Sequence, residues 1–166
     1  MNPGRTILYI ISAILFGLFW VSGGDELMDY LPYYSQRFVG RTVTVQVQEK
    51  VIYAEVARSD RAKARGLGKR QNLPTQKGML FPFVEPGLYE FWMKDMRISI
   101  DIVWIHSGKI VDISHGVPPP AVGQDPARIR PPVPVDTVLE VAGGMATQWK
   151  PGDAVTIKDD KPFFLP

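Results

Sequence analysis

The 166-residue chain sets 19 Lys and Arg against 17 Asp and Glu, and this net +2 does not mark a nucleic-acid binder. Its 45% apolar content is enough for a hydrophobic core and excludes wholesale disorder. With no Cys and two His there is no disulfide framework, no thiol catalysis and no metal site to expect, and no cofactor motif is present.

The first element is an export signal. A short polar start with Arg5 precedes the uncharged run Ile7 to Val21, and Asp25, Glu26 and Asp29 follow it. A basic flank, an apolar run and an acidic far side orient such a segment with its N-terminus inside. Fifteen residues make roughly 23 Å of helix against a hydrocarbon core of ~30 Å, so Thr6 and Ser22 to Gly24 are needed to complete a span. Residues 1–24 are therefore read as an uncleaved signal anchor, with a cleaved signal peptide as the alternative. The anchor would place the domain in the periplasm or outside the cell; cleavage would release it there. Residues 25–40 form a linker whose Tyr30, Tyr33, Tyr34 and Phe38 suit a bilayer interface or the cover of an open domain edge.

From Arg41 to Pro166 the pattern is that of one β-rich domain. Val43, Val45 and Val47 alternate with polar residues as a half-buried strand, and Glu49-Lys50 turns it into a second with Ile52, Ala54 and Val56 on one face. Ser59 caps a short helix with Asp60 in its first turn, ending at Gly66. Strands follow over Gly78–Phe83, Leu88–Met93, Ile98–His106 and Lys109–Ser114, separated by Glu85-Pro86-Gly87 and Ser107-Gly108. Between Val117 and Pro134 stand Pro118, Pro119, Pro120, Pro126, Pro131, Pro132 and Pro134, which bar a central strand and predict a long stiff loop. A strand over Val138–Val141, a short helix through Trp149 and a last strand over Ala154–Lys158 complete the domain. The fold class is mainly β, a β-sandwich or compact barrel with one or two short helices, preceded by the N-terminal hydrophobic helix.

The ordered series ARSDRAKARGLGKRQNLP, GMLFPF, FWMKDMRISIDIVWI, GKIVDI, VLEVAGG and PGDAV, from about Val51 to Ile157, resembles the uncharacterised domain-of-unknown-function family numbered 192. The resemblance implies a small β-rich domain, often behind an export signal in bacteria, and implies no activity. The chain departs from the family pattern at Gly66-Leu67-Gly68, where relatives read GLM, and at Lys94-Asp95-Met96, where they read KN-T. It also has Ile98-Ser99-Ile100-Asp101-Ile102 for I-P-L-D-I, and neither Cys nor Tyr in the proline-rich loop.

Two constellations are candidate binding sites. Arg58, Arg61, Lys63, Arg65, Lys69 and Arg70 face Asp60 alone, a local net charge of 6 − 1 = +5, with Arg61 and Arg65 on one helix face. That face fits an anionic ligand or, more simply, a solvated helix with some Arg paired inside the domain. Trp92 and Lys94 share one side of a strand and Phe91 and Met93 the other, so Trp92 and Lys94 offer a stacking surface with a cation beside it, suited to a sugar or aromatic ligand. Asp101 on the next strand is placed to pair with Lys94 or Arg65, or to act as an acid; alternatively the group is a buried ion pair. No G-x-S-x-G, S-x-x-K or H-E-x-x-H motif occurs, and His106 and His115 lie at opposite ends of a hairpin. The leading reading is a membrane-tethered extracytoplasmic module that binds an anionic or glycan ligand or an envelope partner, through Arg61, Arg65, Trp92, Lys94 and Asp101. A carbohydrate-active hydrolase or lyase drawing on Glu55, Glu90, Asp95 and Asp101 is the second reading. A structural or assembly protein with the motif residues in its core is the third.

Overall fold

The structure is a computed structural model that describes residues 42–158; the anchor and linker expected over residues 1–40 lie outside the described residues. Among the described residues, no helix is long and apolar enough to cross a membrane.

The alternation of valines with Thr and Gln produces β1 (Thr42–Val47), which pairs antiparallel with β2 (Lys50–Val56) across a two-residue turn. The helix α1 (Asp60–Arg65) then crosses over, its N-cap Ser59 accepting from the Ala62 N–H at 3.1 Å. It leads into β3 (Lys77–Gly87), which lies parallel to β2, so β2, α1 and β3 form a crossover unit. The hairpin of β5 (Ile100–His106) and β6 (Lys109–Val117) follows, turning at Ser107 and Gly108, both at positive φ. Finally β8 (Val135–Ala142) inserts between β5 and β3, and β9 (Val155–Lys158) adds beside β1.

The seven strands run in the order β6-β5-β8-β3-β2-β1-β9. The two outer strands meet at one end. Lys109 bridges Ala154, and the Val155 N–H donates to the Gly108 carbonyl at 2.8 Å. Ile110 of β6 and Val155 of β9 accordingly share one apolar cluster with Val45, Val103 and Leu139, which fills the concave side. The expected sandwich or compact barrel is a curled sheet, a half-barrel, mainly β and with very few helices.

The outer face of the central strands carries a second cluster, built around Phe81, Met93, Ile102, Trp104 and Val138. Covered on both sides, Ile100 to Ile105 of β5 is buried without interruption. Three elements differ from the sequence reading. The strand expected over Leu88–Met93 shrinks to β4 (Phe91–Trp92), because the register shift between Pro82 and Gly87 carries the chain off the main sheet. Within the proline-rich loop, the donor-bearing stretch between Pro126 and Pro131 forms β7 (Arg128–Ile129), which pairs with β4 as a separate two-stranded ribbon. The helix expected through Trp149 is a set of turns, because Gly144 at φ +85° breaks helical geometry and the Ala146 N–H is drawn onto Asp101.

Candidate functional site

The outer face is closed by α1, the turn after it and the β4–β7 ribbon, and these leave a cavity of about 310 Å³ between them. Burial grades its lining. Leu67, Met96 and Glu140 are buried and form the floor, Phe83, Tyr89 and Phe91 are half-buried walls, and Arg65, Glu90, Trp92 and Arg128 are exposed at the rim.

The floor follows from the end of α1. Gly66 adopts φ +52°, a conformation that favours glycine, and its N–H closes the helix on the Ala62 carbonyl at 2.9 Å. The chain thereby turns Leu67 inward to full burial, and the Leu67 N–H donates to the Glu140 carboxyl. Glu140 stands on β8 between Met79 of β3 and Ile102 of β5, with only 5% of its surface exposed. Its Oε2 has no hydrogen-bond partner among the described residues. A Cβ added at Gly66 would sit 3.5 Å from that oxygen, so the bare glycine leaves the room around it. Burial pushes the Glu140 carboxyl up to about 8, against smaller opposing effects of the Arg70 charge and the Leu67 N–H.

The walls are aromatic. Phe83 and Tyr89 stack at 3.5 Å between ring centroids, and Phe91 meets Phe81 and Trp104 edge to face at 5.0 and 5.5 Å. The Lys63 ammonium lies 4.3 Å over the Phe83 ring. At the rim, the Trp92 indole donates to the Ala64 carbonyl at 3.3 Å and has Lys94 and Arg128 over its ring at 5.1 and 5.5 Å. Glu90 ties the ribbon together, receiving Arg128 on one oxygen and Arg130 on the other. The Arg128 hydrogen bond, and next the Arg130 one, hold its carboxyl below the usual range.

The residues singled out from the sequence divide between two places. Arg65 and Trp92 line the cavity, and Lys94 reaches the site through the Trp92 ring. Arg61 is on the exposed surface of α1 and does not line it. Asp101 is fully buried and is also absent from the lining. Its two oxygens accept from the Gly116 N–H at 2.7 Å and the Ala146 N–H at 2.8 Å. In the β5–β6 register, Ile100 faces Val117 and Ile102 faces Ser114, so Asp101 fills a bulge by taking the main-chain donor it frees.

Of the carboxylates considered for glycoside chemistry, Glu55 is held by Arg70 through two bonds of 2.8 and 2.7 Å, Asp95 is exposed, and Glu90 alone lines the cavity. Asp95 has φ +59°, a conformation in which Asn is at ease, which gives the family's Asn at this position a backbone reason. Glu140 was not singled out from the sequence. Its signal was there: one charge inside the apolar run Val138-Leu139-Glu140-Val141 of a strand that ends at Gly143-Gly144. Arg128 carried no such signal, because only the β4–β7 pairing brings it to Trp92.

The sequence profile of DUF192, a family described only as uncharacterised, matches residues 42–157. A crystal structure of a protein of unknown function from Novosphingobium aromaticivorans is 32% identical, with a TM-score of 0.60 over 69% of this chain and 83% of that one. A candidate transcription regulator from Sinorhizobium meliloti is 27% identical, with a TM-score of 0.61 over 70% of this chain and 92% of that one. No functionally curated protein matches the chain.

Proposed function

The chain belongs to the DUF192 family, and from that premise we propose that its domain is a non-catalytic binding module for a small anionic or glycan ligand, displayed on the outer side of a membrane by the N-terminal apolar run. The observation that carries the binding reading is the cavity itself: aromatic walls around a buried carboxyl with an unpartnered oxygen. A half-open hollow with aromatic walls and a few convergent polar groups has the make-up of a small-molecule site, and about 310 Å³ suits a ligand of one ring. Trp92, 38% exposed, offers such a ring a face at the entrance.

The test is a screen of the full chain against envelope glycans and simple organic anions, read by tryptophan fluorescence and indole NMR signals. A saturable change that Trp92→Ala weakens about tenfold supports the module. No response to any compound would leave the motif residues a purely structural role. The membrane reading is checked separately: a reporter fused after Pro166 should be active outside the cytoplasm, and activity confined to the cytoplasm contradicts it.

One observation favours the hydrolase reading. Glu140 and Glu90 line the same cavity with their carboxyls pushed in opposite directions, as an acid and its partner carboxylate require. Against it, both Glu90 oxygens are occupied by guanidinium donors. Glycan turnover abolished by both Glu140→Gln and Glu90→Gln would decide for the enzyme.

A further inference from the structure

We propose that the ligand of this cavity is a carboxylate on a single-ring body, and that Glu140 holds it as a neutral acid donating from Oε2. The inference rests on the binding reading above and narrows its ligand class. Its first support is the asymmetry of the Glu140 carboxyl. One oxygen accepts from the Leu67 N–H, as the carbonyl side of an acid does, and the other is buried with no donor among the described residues to satisfy it. An ionised Oε2 would be a buried charge with no hydrogen-bond donor among the described residues and only the Arg70 charge to offset it, whereas a protonated Oε2 has one hydrogen bond to give, from a side chain that lines the cavity.

The second support is the charge of the lining. From α1 the cavity receives Lys63 and Arg65, and Arg70, from the chain beyond it, acts on Glu140 through its charge. From the ribbon and the segment leading into it come Glu90 and Arg128, together with the Tyr89 phenol. The neighbouring strand positions, Met79 and Ile102, bring no titratable group. The lining is thus net positive once Glu140 is neutral, since Lys63 and Arg128 already outweigh Glu90. An anion is drawn to that rim and accepts from the acid at the floor. An ammonium ligand would cross a ring of like charge to reach a group that is not ionised. Burial that keeps the Glu140 proton to about pH 8 agrees with the geometry.

The carboxylate could sit on a sugar or on an aromatic ring, and the probes separate the two. The full chain in mild detergent is titrated with D-glucuronate, benzoate, D-glucosamine and D-glucose, following the Trp92 indole signal. Glucuronate or benzoate should bind in preference to the others, whichever is tighter identifying the source. Affinity should fall about 30-fold between about pH 6.5 and about pH 9.5 as Glu140 loses its proton near 8. Glu140→Gln, whose amide donates at every pH, should keep the acid affinity within about threefold and abolish the fall, whereas Glu140→Met should lose it.

Preferred binding of glucosamine, lost in Glu140→Gln, would overturn the ligand class while leaving the binding reading standing. Acid binding indifferent to pH and to Glu140 would overturn the role of this residue. Silence toward all four probes would bring down the binding reading and the inference with it. Should the variants fail to fold, the wild-type Glu140 carboxyl carbon still decides: saturating glucuronate must raise its titration midpoint, and an unchanged or lowered midpoint contradicts the proposal.

Discussion

Two buried carboxyls stand almost side by side in this sheet and do opposite things. Asp101 of β5 faces Val141 across the ladder, Ile102 faces Glu140, and successive residues of a strand point to opposite faces. Asp101 is closed, with both oxygens spent on main-chain donors that lock the end of β6 and the turn after β8. Glu140 is incomplete, with one oxygen spent and the other buried without a partner among the described residues, on a side chain that lines the cavity. A buried polar group with every bond made specifies a fold, and one with a bond left over marks a place for something else to bind.

The contrast can be broken most forcefully with pH. The folded chain keeps the Glu140 proton to about pH 8, whereas the unfolded chain releases it near the ordinary 4.5, so between these values the unfolded state binds fewer protons. The Glu140 contribution to stability is therefore fully present below about pH 4.5 and is lost as pH rises to about 8. It amounts to on the order of 5 kcal/mol, and urea denaturation across that range measures it. Glu140→Gln should flatten this part of the curve.

Asp101→Ala comes next. It orphans the Gly116 and Ala146 N–H groups and should cost roughly 3–5 kcal/mol, while Asp101→Asn, which retains one acceptor, costs less. A wild-type stability that stays level between about pH 4.5 and about 8 would erase the distinction between Asp101 and Glu140. Trp92→Ala should lower affinity about tenfold while changing stability by less than about 1 kcal/mol, because its ring is partly exposed at the rim. Glu90→Gln should have the smallest effect. The Arg128 and Arg130 bonds hold the Glu90 carboxyl low, so its contribution is present above the ordinary carboxylate range and lost as pH falls through the depressed value. Thermal melts at neutral pH should show a small loss, shrinking in acid.

What the sequence disclosed and what it concealed follow from the range of the interactions. Alternation wrote out β1 and β2, and the Ser59 cap with Gly66 bounded α1, because these depend on neighbours in the chain. Trp92 and Lys94 were placed together by their spacing of two. Asp101 drew attention as a partner for Lys94 or Arg65 on the next strand, but strand parity alone could not say which layer lay on its side of the sheet. Glu140 is a lone charge in an apolar strand, and only the turn at Gly66, which brings the Leu67 N–H to one of its oxygens and leaves the other unpartnered among the described residues, distinguishes it from Asp101. The ribbon was least legible of all, since it joins Trp92 to Arg128 through a loop whose prolines argue only against a central strand.

The most direct test is a carbon-detected NMR titration of the Glu140 carboxyl in the ligand-free full chain. A midpoint near 8 is the result expected of a buried acid with one oxygen left unpartnered. A midpoint near 4.5, the ordinary glutamate value, would mean that Glu140 is as well satisfied as a solvated carboxylate, and the contrast with Asp101 would be gone.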